Sequence, residues 1–483
     1  MLLACCVSLW YCHRTGDDDF TALALPTAAT ALVGVLLVAL GYRRGGLNET
    51  LSRRDSFLVV ALVWVVFSIF GMMPFLLYGT TDDIATAYFE TMSGFTSTGA
   101  TALTNIDAQP HGILFWRQLT QWLGGLGIVV FSFSLIPIYE LKNTNVFSAE
   151  VTGLSVDKLR PKIGATARRL LLIYSLLTGA CAFVYWLGPM SGFDAVCHAM
   201  TTIATGGFST HQDSISYWNS PYIEYMCCLF MFVAAVNFSL YYYASIGRIG
   251  TLLRNEELRW FTIYVAAAVA LFIVLFHVSI HYLPDYQITE YLPTTDEETA
   301  RSALFHVLSI TTSTGYQATH YNYVAWGAPF WMPTLILMIV GACAGSTGGG
   351  VKMIRIIVCI KDVLNQFRSQ LHPRALFSVR LSGKVLPPNK VKSALNFLFL
   401  YAVLVIMGCT VMTTMGLDTD TALGSAISCL SNIGAGTGMT GPAGTYAEMP
   451  AFVKWMLSFF MLTGRLEFYT VLYLFMPSFW RMK

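Results

Sequence analysis

Long apolar runs separated by short polar breaks occupy most of this chain, and a spanning helix needs about 20 apolar residues. Runs of that length cover residues 20 to 42, 56 to 78, 112 to 138, 166 to 187, 221 to 245, 259 to 283, 328 to 360, 393 to 415 and 451 to 479. Each predicts a membrane helix. The opening run, Met1 to Cys12, is too short by the same measure. It reads as an interfacial or tilted helix, or as the stub of a longer one, and it has neither the n-region nor the cleavage site of a secretory signal.

Four times an apolar segment too short to cross runs into a glycine-bearing polar stretch and is followed by another long apolar run. The stretches are SGFTSTGAT from Ser93, TTIATGGFS from Thr201, SITTSTGYQ from Ser309 and LSNIGAGTG from Leu430. Gly99, Gly206, Gly315 and Gly436 are the expected key glycines, spaced 107, 109 and 121 residues apart in turn. These intervals far exceed the roughly 20 to 50 residues of solenoid and propeller repeats. The fourth stretch is the least regular, with Gly434, Gly436 and Gly438 all candidates. Gly436 is favoured because Ala435-Gly436-Thr437 parallels Thr98-Gly99-Ala100.

Charge orients the runs. Arg43, Arg44, Arg53, Arg54, Lys142, Lys158, Arg160, Lys162, Arg168, Arg169, Arg248, Arg254 and Arg259 share one side with the long basic loop from Lys352 to Lys392. The positive-inside rule makes that side cytoplasmic. Asp82, Asp83, Asp285, Glu290, Asp296, Glu297, Glu298, Asp418 and Asp420 lie on the other side, with the glycine stretches toward it. Each repeat therefore crosses twice, its short segment dips in and returns, and the four repeats run parallel. The predicted fold class is an all-α polytopic membrane protein of four parallel helix, pore loop, helix repeats with pseudo-fourfold symmetry.

Composition agrees: 55% of residues are hydrophobic and 12% charged, against about a quarter charged in soluble domains. A net charge of +2 without a basic, aromatic-interleaved tract gives no reason to expect nucleic acid. The 11 cysteines lie in or beside apolar segments without metal-ligand spacing, and read as reduced, buried small hydrophobes. Aromatic residues, 14% of the chain, read as lipid-facing bodies and interface anchors.

The chemistry the repeats suggest is cation passage. A bare alkali cation gives up its water only if oxygens replace it, and rings of backbone carbonyls do so without fixed charge. Glycine suits such a ring because it reaches conformations other residues do not and leaves the path clear. The short helix before each stretch, such as Ile84 to Thr96, would aim its negative dipole end at the ion. No nucleophile, base and metal constellation suggests an enzyme. A coupled transporter would place charged relays within its helices and often show inverted repeats; a proton- or sodium-coupled symporter remains the alternative function.

The stretches GFTSTGAT, FWRQLTQWLGGLGIVV from Phe115, TIATGGFSTH, GACAGSTGGGVKMIRI from Gly341, HPRA from His372 and TGRLEFYT from Thr463 resemble the bacterial Trk/Ktr and plant and fungal HKT/Trk superfamily of potassium transporters, most closely its TrkH/TrkG-type membrane subunits. The resemblance implies a K+ uptake pathway of four M1-P-M2 repeats behind two N-terminal helices. The corresponding division is an N-terminal pair (1–45), repeat 1 (46–140), repeat 2 (141–247), repeat 3 with an intramembrane loop (248–362) and repeat 4 (363–483). It further implies a homodimer in the bacterial inner membrane, with a TrkA-type nucleotide-binding ring docked on the cytoplasmic loops, especially Lys361 to Lys392. Potassium is the only ligand expected, held by Ser97, Thr98, Gly99, Ala204, Thr205, Gly206, Ser313, Thr314, Gly315, Gly434, Ala435 and Gly436. Glycine rather than serine at position 99 goes with potassium over sodium in the superfamily. The first N-terminal helix is shorter than the family's.

Two features bear on gating. Gly341 to Gly350 breaks an apolar run with more glycine than a straight helix holds, and reads as a movable intramembrane loop rather than close packing. Arg465 stands near the middle of the last run, where a charge costs at least about 2.5 kcal/mol on insertion scales. Pairing with Glu467 is disfavoured because a spacing of two puts them on different helix faces. By resemblance, Gly345, Ser346, Thr347, Gly348, Gly349 and Arg465 form the gate below the filter. Gly345 to Lys352 is not a phosphate loop, since lysine does not directly follow its last glycine and no strand precedes it. His277 and His281 have the spacing of a zinc pair but no third ligand, and read as interfacial.

Overall fold

The computed structural model describes residues 1–43, 53–140, 163–282, 293, 295–318 and 326–481. Arg44, Lys142, Lys158, Arg160, Lys162, Asp285, Glu290 and the side chain of His281 lie outside the described residues. The chain is overwhelmingly helical. The sheet consists of two-residue strands, β1 (Arg380–Leu381) and β2 (Lys384–Val385), paired antiparallel in the basic loop.

Helices α1 (Leu2–Thr15) and α2 (Phe20–Arg43) come first. Two acids pin them to the first repeat: the Asp17 and Asp19 carboxylates accept from His111 N and Ile113 N, both at 3.0 Å. These are orphan donors of a helix start, and the negative charges also suit its dipole. In the division expected from the sequence, repeat 1 comprises α3 (Arg53–Gly71), α4 (Met73–Tyr78), the short α5 (Ile84–Phe95) and α6 (His111–Glu140). Repeat 2 comprises α7 (Ile163–Trp186), the short α8 (Gly192–Ile203), α9 (Pro221–Ala234) and α10 (Phe238–Ser245). In repeat 3, α11 (Glu256–Tyr282), α12 (Asp296–Thr311) and α13 (Ala328–Ile339) lead to α14 (Met353–Leu371). Repeat 4 comprises α15 (Pro388–Thr414), the short α16 (Thr419–Ser431) and α17 (Ala451–Arg465).

All four re-entrant helices start on a side-chain cap. Asp83 accepts from Ala85 N and Thr86 N, Ser191 from Asp194 N, Thr295 from Glu298 N and Asp418 from Thr421 N. Such caps are worth about 1 kcal/mol each. Each short helix packs between the helices flanking it and also against the last helix of the preceding repeat: α8 on α6, α12 on α9, α16 on α13, and α5 on α17. The last of these contacts closes the cycle, so the helix pairs surround one axis.

Among the described residues, five helices are long and apolar enough to cross a membrane, or six if one bent pair is a single span. The faces turned outward carry large exposed apolar side chains, including Leu32, Val35, Leu36 and Val38 of α2, Leu172 and Leu176 of α7, and Phe399 and Ile406 of α15. A water-soluble surface does not show such contiguous patches. All 11 cysteines are free, but Cys6 and Cys12 are exposed rather than buried, because α1 sits at the periphery and packs through one face.

Two expected full-length spans are broken. The run 221 to 245 bends by 86° between α9 and α10. The run 451 to 479 stops at Arg465, and Glu467 and Phe468 take left-handed φ values of 57° and 58°. Broken backbone at this depth requires protein or water partners, and in repeat 2 the partner is the intramembrane loop. Cys343 N donates to Ala235 O at 3.2 Å, and Phe238 N to Gly345 O at 3.0 Å.

Candidate functional site: a backbone ring and the loop beneath it

Each short helix unwinds through the same turn. Ser97, Thr205, Ser313 and Asn432 donate their N–H groups to carbonyls three residues back, at 2.9, 3.0, 2.9 and 3.4 Å. The next residues, Thr98, Gly206, Thr314 and Ile433, reach five residues back at 2.8, 2.8, 2.9 and 3.0 Å. Ser97, Thr205, Ser313 and Asn432 have φ of 51°, 51°, 58° and 54°, and two residues later Gly99, Gly207, Gly315 and Gly434 have 85°, 77°, 77° and 94°. A left-handed conformation at non-glycine residues costs on the order of 1 to 3 kcal/mol each and is retained where surroundings over-determine it.

This repeated winding follows a register different from the one expected from the sequence. By winding, the equivalent triplets are 97–99, 205–207, 313–315 and 432–434, so Gly207 and Gly434, rather than Gly206 and Gly436, stand where Gly99 and Gly315 do. Ala204 instead caps α8 and packs on α6, where a β-carbon at Gly125 would lie 2.9 Å from its Cα. Ala435 follows the fourth triplet and shares a cavity wall with Gly315 and Tyr316. Gly436 donates its N–H to Thr440 O at 2.7 Å and packs on Gly424 and Ser425 of α16. In both repeats the stretch contains a second glycine required by packing rather than by φ, and the sequence does not distinguish the two uses.

The four strands close on one another. A β-carbon at Gly99 would lie 1.9 Å from Gly206 O, one at Gly207 1.9 Å from Thr314 O, one at Gly315 2.0 Å from Ile433 O, and one at Gly434 2.6 Å from Thr98 O. Each key glycine thus lets the carbonyl before the next repeat's key glycine come within van der Waals contact, and the fourth returns to the first. Behind the ring, the Asn432 amide donates to Thr98 Oγ1 and Met461 O, both at 2.9 Å, and the Tyr446 hydroxyl donates to Gly434 O at 2.8 Å. The outer rim between repeats 1 and 2 holds a buried ion pair, Arg117 to Glu90 at 2.6 Å. Glu90 also accepts from Ala102 N, Arg117 donates to Ser209 O, and its guanidinium lies 3.5 Å from the Phe208 ring centroid. Removing one partner of such a pair costs about 3 to 5 kcal/mol.

Residues 340–352 form the loop, whose mouth is closed by a parallel bridge between Val340 and Val351. Its tip touches repeats 2, 3 and 4 beside the triplets, and Arg465 links it to repeat 1. Thr347 Oγ1 donates to Ile203 O at 3.0 Å, and Gly349 N donates to Ser313 Oγ at 2.5 Å. A β-carbon at Gly349 would lie 2.1 Å from Ser431 O. Arg465 completes the set, donating to Thr347 O at 2.6 Å, to Ser97 Oγ at 3.2 Å and to Gly124 O at 3.3 Å, while only 4% exposed. Glu467 binds Arg355 at 2.5 Å instead of Arg465.

Sequence reasoning missed the base of this loop. Glu257, buried at the start of α11, accepts from Ala344 N at 2.7 Å and from Ile354 N at 3.2 Å, clamping both arms with one carboxylate oxygen. Lys352 donates to Gly348 O. The adjacent Glu256 pairs with Lys361 of α14 and accepts from Ser382 N, in the turn between β1 and β2, at 2.5 Å. A charged pair, Glu256-Glu257, opening an otherwise apolar run was the available signal.

The family model TrkH, described as a cation transport protein, matches residues 28–482. The chain is 37% identical over 437 residues to the Trk system potassium uptake protein TrkH of Salmonella typhimurium, covering 89% of this chain and 87% of that protein. It is 35% identical over 467 residues to the Trk system potassium uptake protein TrkI of Halomonas elongata, covering 96% and 91%. The crystal structure of the potassium transporter TrkH from Vibrio parahaemolyticus superposes with a TM-score of 0.85 at 31% identity, covering 99% of this chain and 98% of that one.

Proposed function

This chain belongs to the TrkH family of cation transport proteins, and from that premise we propose that it takes up potassium through a pore whose filter is the backbone ring and whose gate is the loop beneath. Closure of the ring is the observation that carries the reading. In this reading four triplets, each left-handed at its first and third residues, hold a set of carbonyl oxygens around one axis, the oxygen-rich, charge-free surround a dehydrated K+ needs. The C-terminal ends of α5, α8, α12 and α16 meet the same axis and add their negative dipole ends. Carbonyls of residues 97–99, 205–207, 313–315 and 432–434 are the ligands in this reading.

The loop tip obstructs the path below the ring, and Arg465 raises the barrier for a cation in a low-dielectric cavity. Opening moves the tip aside while the loop's polar groups exchange their present partners for water. The force comes from the basic, cytoplasmic side through α14, whose first turn carries Arg355 and whose start is held by Glu257. A TrkA-type nucleotide-binding ring docked on the loops from Lys361 to Lys392 supplies it, and the working unit is a homodimer in the bacterial inner membrane.

Reconstitution in liposomes tests the filter. Gly99→Ser, whose β-carbon would lie 1.9 Å from Gly206 O at φ 85°, should abolish potassium over sodium discrimination while the protein still inserts. An unchanged ion competition profile would remove the ring from the selectivity step. Rubidium flux with and without proton and sodium gradients separates a pore from a coupled carrier.

A further inference from the structure

Position 98 and its equivalents are threonine in repeats 1 and 3 and isoleucine in repeat 4, yet Gly206 occupies that position in repeat 2. Gly206 is absent from the residues with positive φ, so its backbone conformation does not call for glycine. Its neighbour does. A β-carbon there would lie 2.4 Å from Cδ and Oε1 of Gln121 and 2.8 Å from its Nε2. Gln121 stands on α6, in repeat 1, fully buried, and its amide grips the second triplet at two points. Nε2 donates to Gly206 O at 2.7 Å, and Oε1 accepts from Phe208 N at 3.1 Å. Donor and acceptor together determine which end of the amide is nitrogen.

We infer that Gln121 is a specificity-determining positioning residue: its amide sets the direction of the Gly206 carbonyl, and Gly206 is glycine to admit it. The inference rests on the reading of the ring as a filter. That carbonyl is also the one in contact with Gly99, so Gln121 positions an oxygen at the joint between repeats 1 and 2. A carbonyl has two lone pairs, and one hydrogen bond from behind leaves the other free for an ion. The grip also spans the left-handed Gly207, because the bonded groups lie on either side of it. The backbone between the two bonds therefore cannot rotate without breaking one of them. Glutamate would keep the acceptor and lose the donor, whereas leucine would keep most of the volume and lose both.

The test reads a ratio, which does not depend on how much protein folds. Purified variants in liposomes are compared by reversal potential under opposed potassium and sodium gradients, with Gly99→Ser as reference. Gln121→Leu should lower the potassium to sodium permeability ratio by about fivefold, as expected when the bond that orients the Gly206 carbonyl is lost, and Gln121→Glu, which loses that same bond, should lower it as well. Gly206→Thr, which installs the residue of repeats 1 and 3, should collapse the ratio alone and regain it in part when combined with Gln121→Ala. This size exchange carries the test if Gln121→Leu does not insert. A parental ratio in both single Gln121 variants, with Gly99→Ser altered in the same assay, overturns the role of Gln121 and leaves the filter standing. No benefit from Gln121→Ala on the Gly206→Thr background also overturns it. If Gly99→Ser is unaltered as well, the filter reading itself fails.

Discussion

The ring and the loop are both irregular backbone held at membrane depth, yet they are assembled on opposite plans. The winding of the ring recurs four times: the same two hydrogen bonds in each turn, the same pair of left-handed residues, the same glycine against the same carbonyl. The loop occurs once. Its contacts differ in kind: the Thr347 hydroxyl on repeat 2, the Gly349 amide on repeat 3, the Gly349 α-carbon against repeat 4, and the Thr347 carbonyl bound by Arg465, which reaches on to Ser97 of repeat 1. An element held by four equivalent sets of bonds cannot shift at one without straining its neighbours. An element held by unlike bonds, each to a different partner, can release them in sequence. Selection of an ion by geometry suits the first plan, and opening and closing suits the second.

The largest effect should come from breaking the fourfold pattern at one strand. Gly207→Ala puts a β-carbon 1.9 Å from Thr314 O at φ 77°, so both sterics and backbone oppose it. Selective uptake should be abolished. Gly436→Ala meets the Thr440 hydroxyl and the backbone of Gly424 and Ser425, away from the ring and at ordinary φ, and the protein that inserts should keep the parental potassium to sodium ratio. Equal loss of selectivity in the two would return Gly436 to the filter and undo the register of the fourth triplet.

Next in size are changes that release the loop. Glu257→Ala frees the amides of Ala344 and Ile354, and Arg465→Ala removes the cation and its bond to Thr347. Hydrogen bonds to charged groups are worth about 1.5 to 3 kcal/mol. Basal rubidium flux without any partner should therefore rise by about tenfold or more in each variant, as it should on deleting a few residues between Ala344 and Gly349. If all of these, shown to be inserted and dimeric, conduct no faster than the parent, the gate lies elsewhere.

The smallest effect concerns the outer rim. His211 bonds to Asp107 of repeat 1 at 2.7 Å and lies 3.8 Å from Asp194. Burial lowers its pKa, but the bonds and charges of Asp194 and Asp107 outweigh that and raise it. A raised pKa means the imidazolium contributes stability fully below the unfolded value near 6.5, and that contribution is lost as pH rises through the folded pKa. Melting temperature in detergent should fall slightly over that window in the parent and not in His211→Asn. Identical pH profiles would show that this link between repeats carries no charge-dependent stability.

The outline was legible because the bilayer enforces it: apolar runs, acidic and basic sides and four polar re-entries can be read from letters alone. The caps Asp83, Ser191, Thr295 and Asp418 were equally available, each standing just before a short helix. The register of the ring was not. Gly206 and Gly436 are glycines chosen by Gln121 and Thr440, and only their neighbours in space distinguish them from Gly207 and Gly434. Asn432 was a usable clue, since asparagine tolerates the left-handed region better than most residues. The bend at residues 235–237 contains neither glycine nor proline, and its partners lie in the loop. The Glu257 clamp joins residues 87 and 97 positions apart, beyond any local pattern.

The joint that completes the ring also has a consequence in time. Asn432 and Thr98 touch across 334 positions of sequence. At the roughly 5 to 20 residues per second of protein synthesis, the first strand exists for on the order of 20 to 70 seconds before its last neighbour is made. Over that interval the Thr98 hydroxyl has its neighbour Thr96 at 2.7 Å but not the Asn432 amide, and backbone polar groups left without partners are expensive in hydrocarbon. The ring therefore closes only when the fourth repeat arrives. A chain cut short before residue 432 leaves three strands and an open seam where Asn432 and Gly434 would meet Thr98.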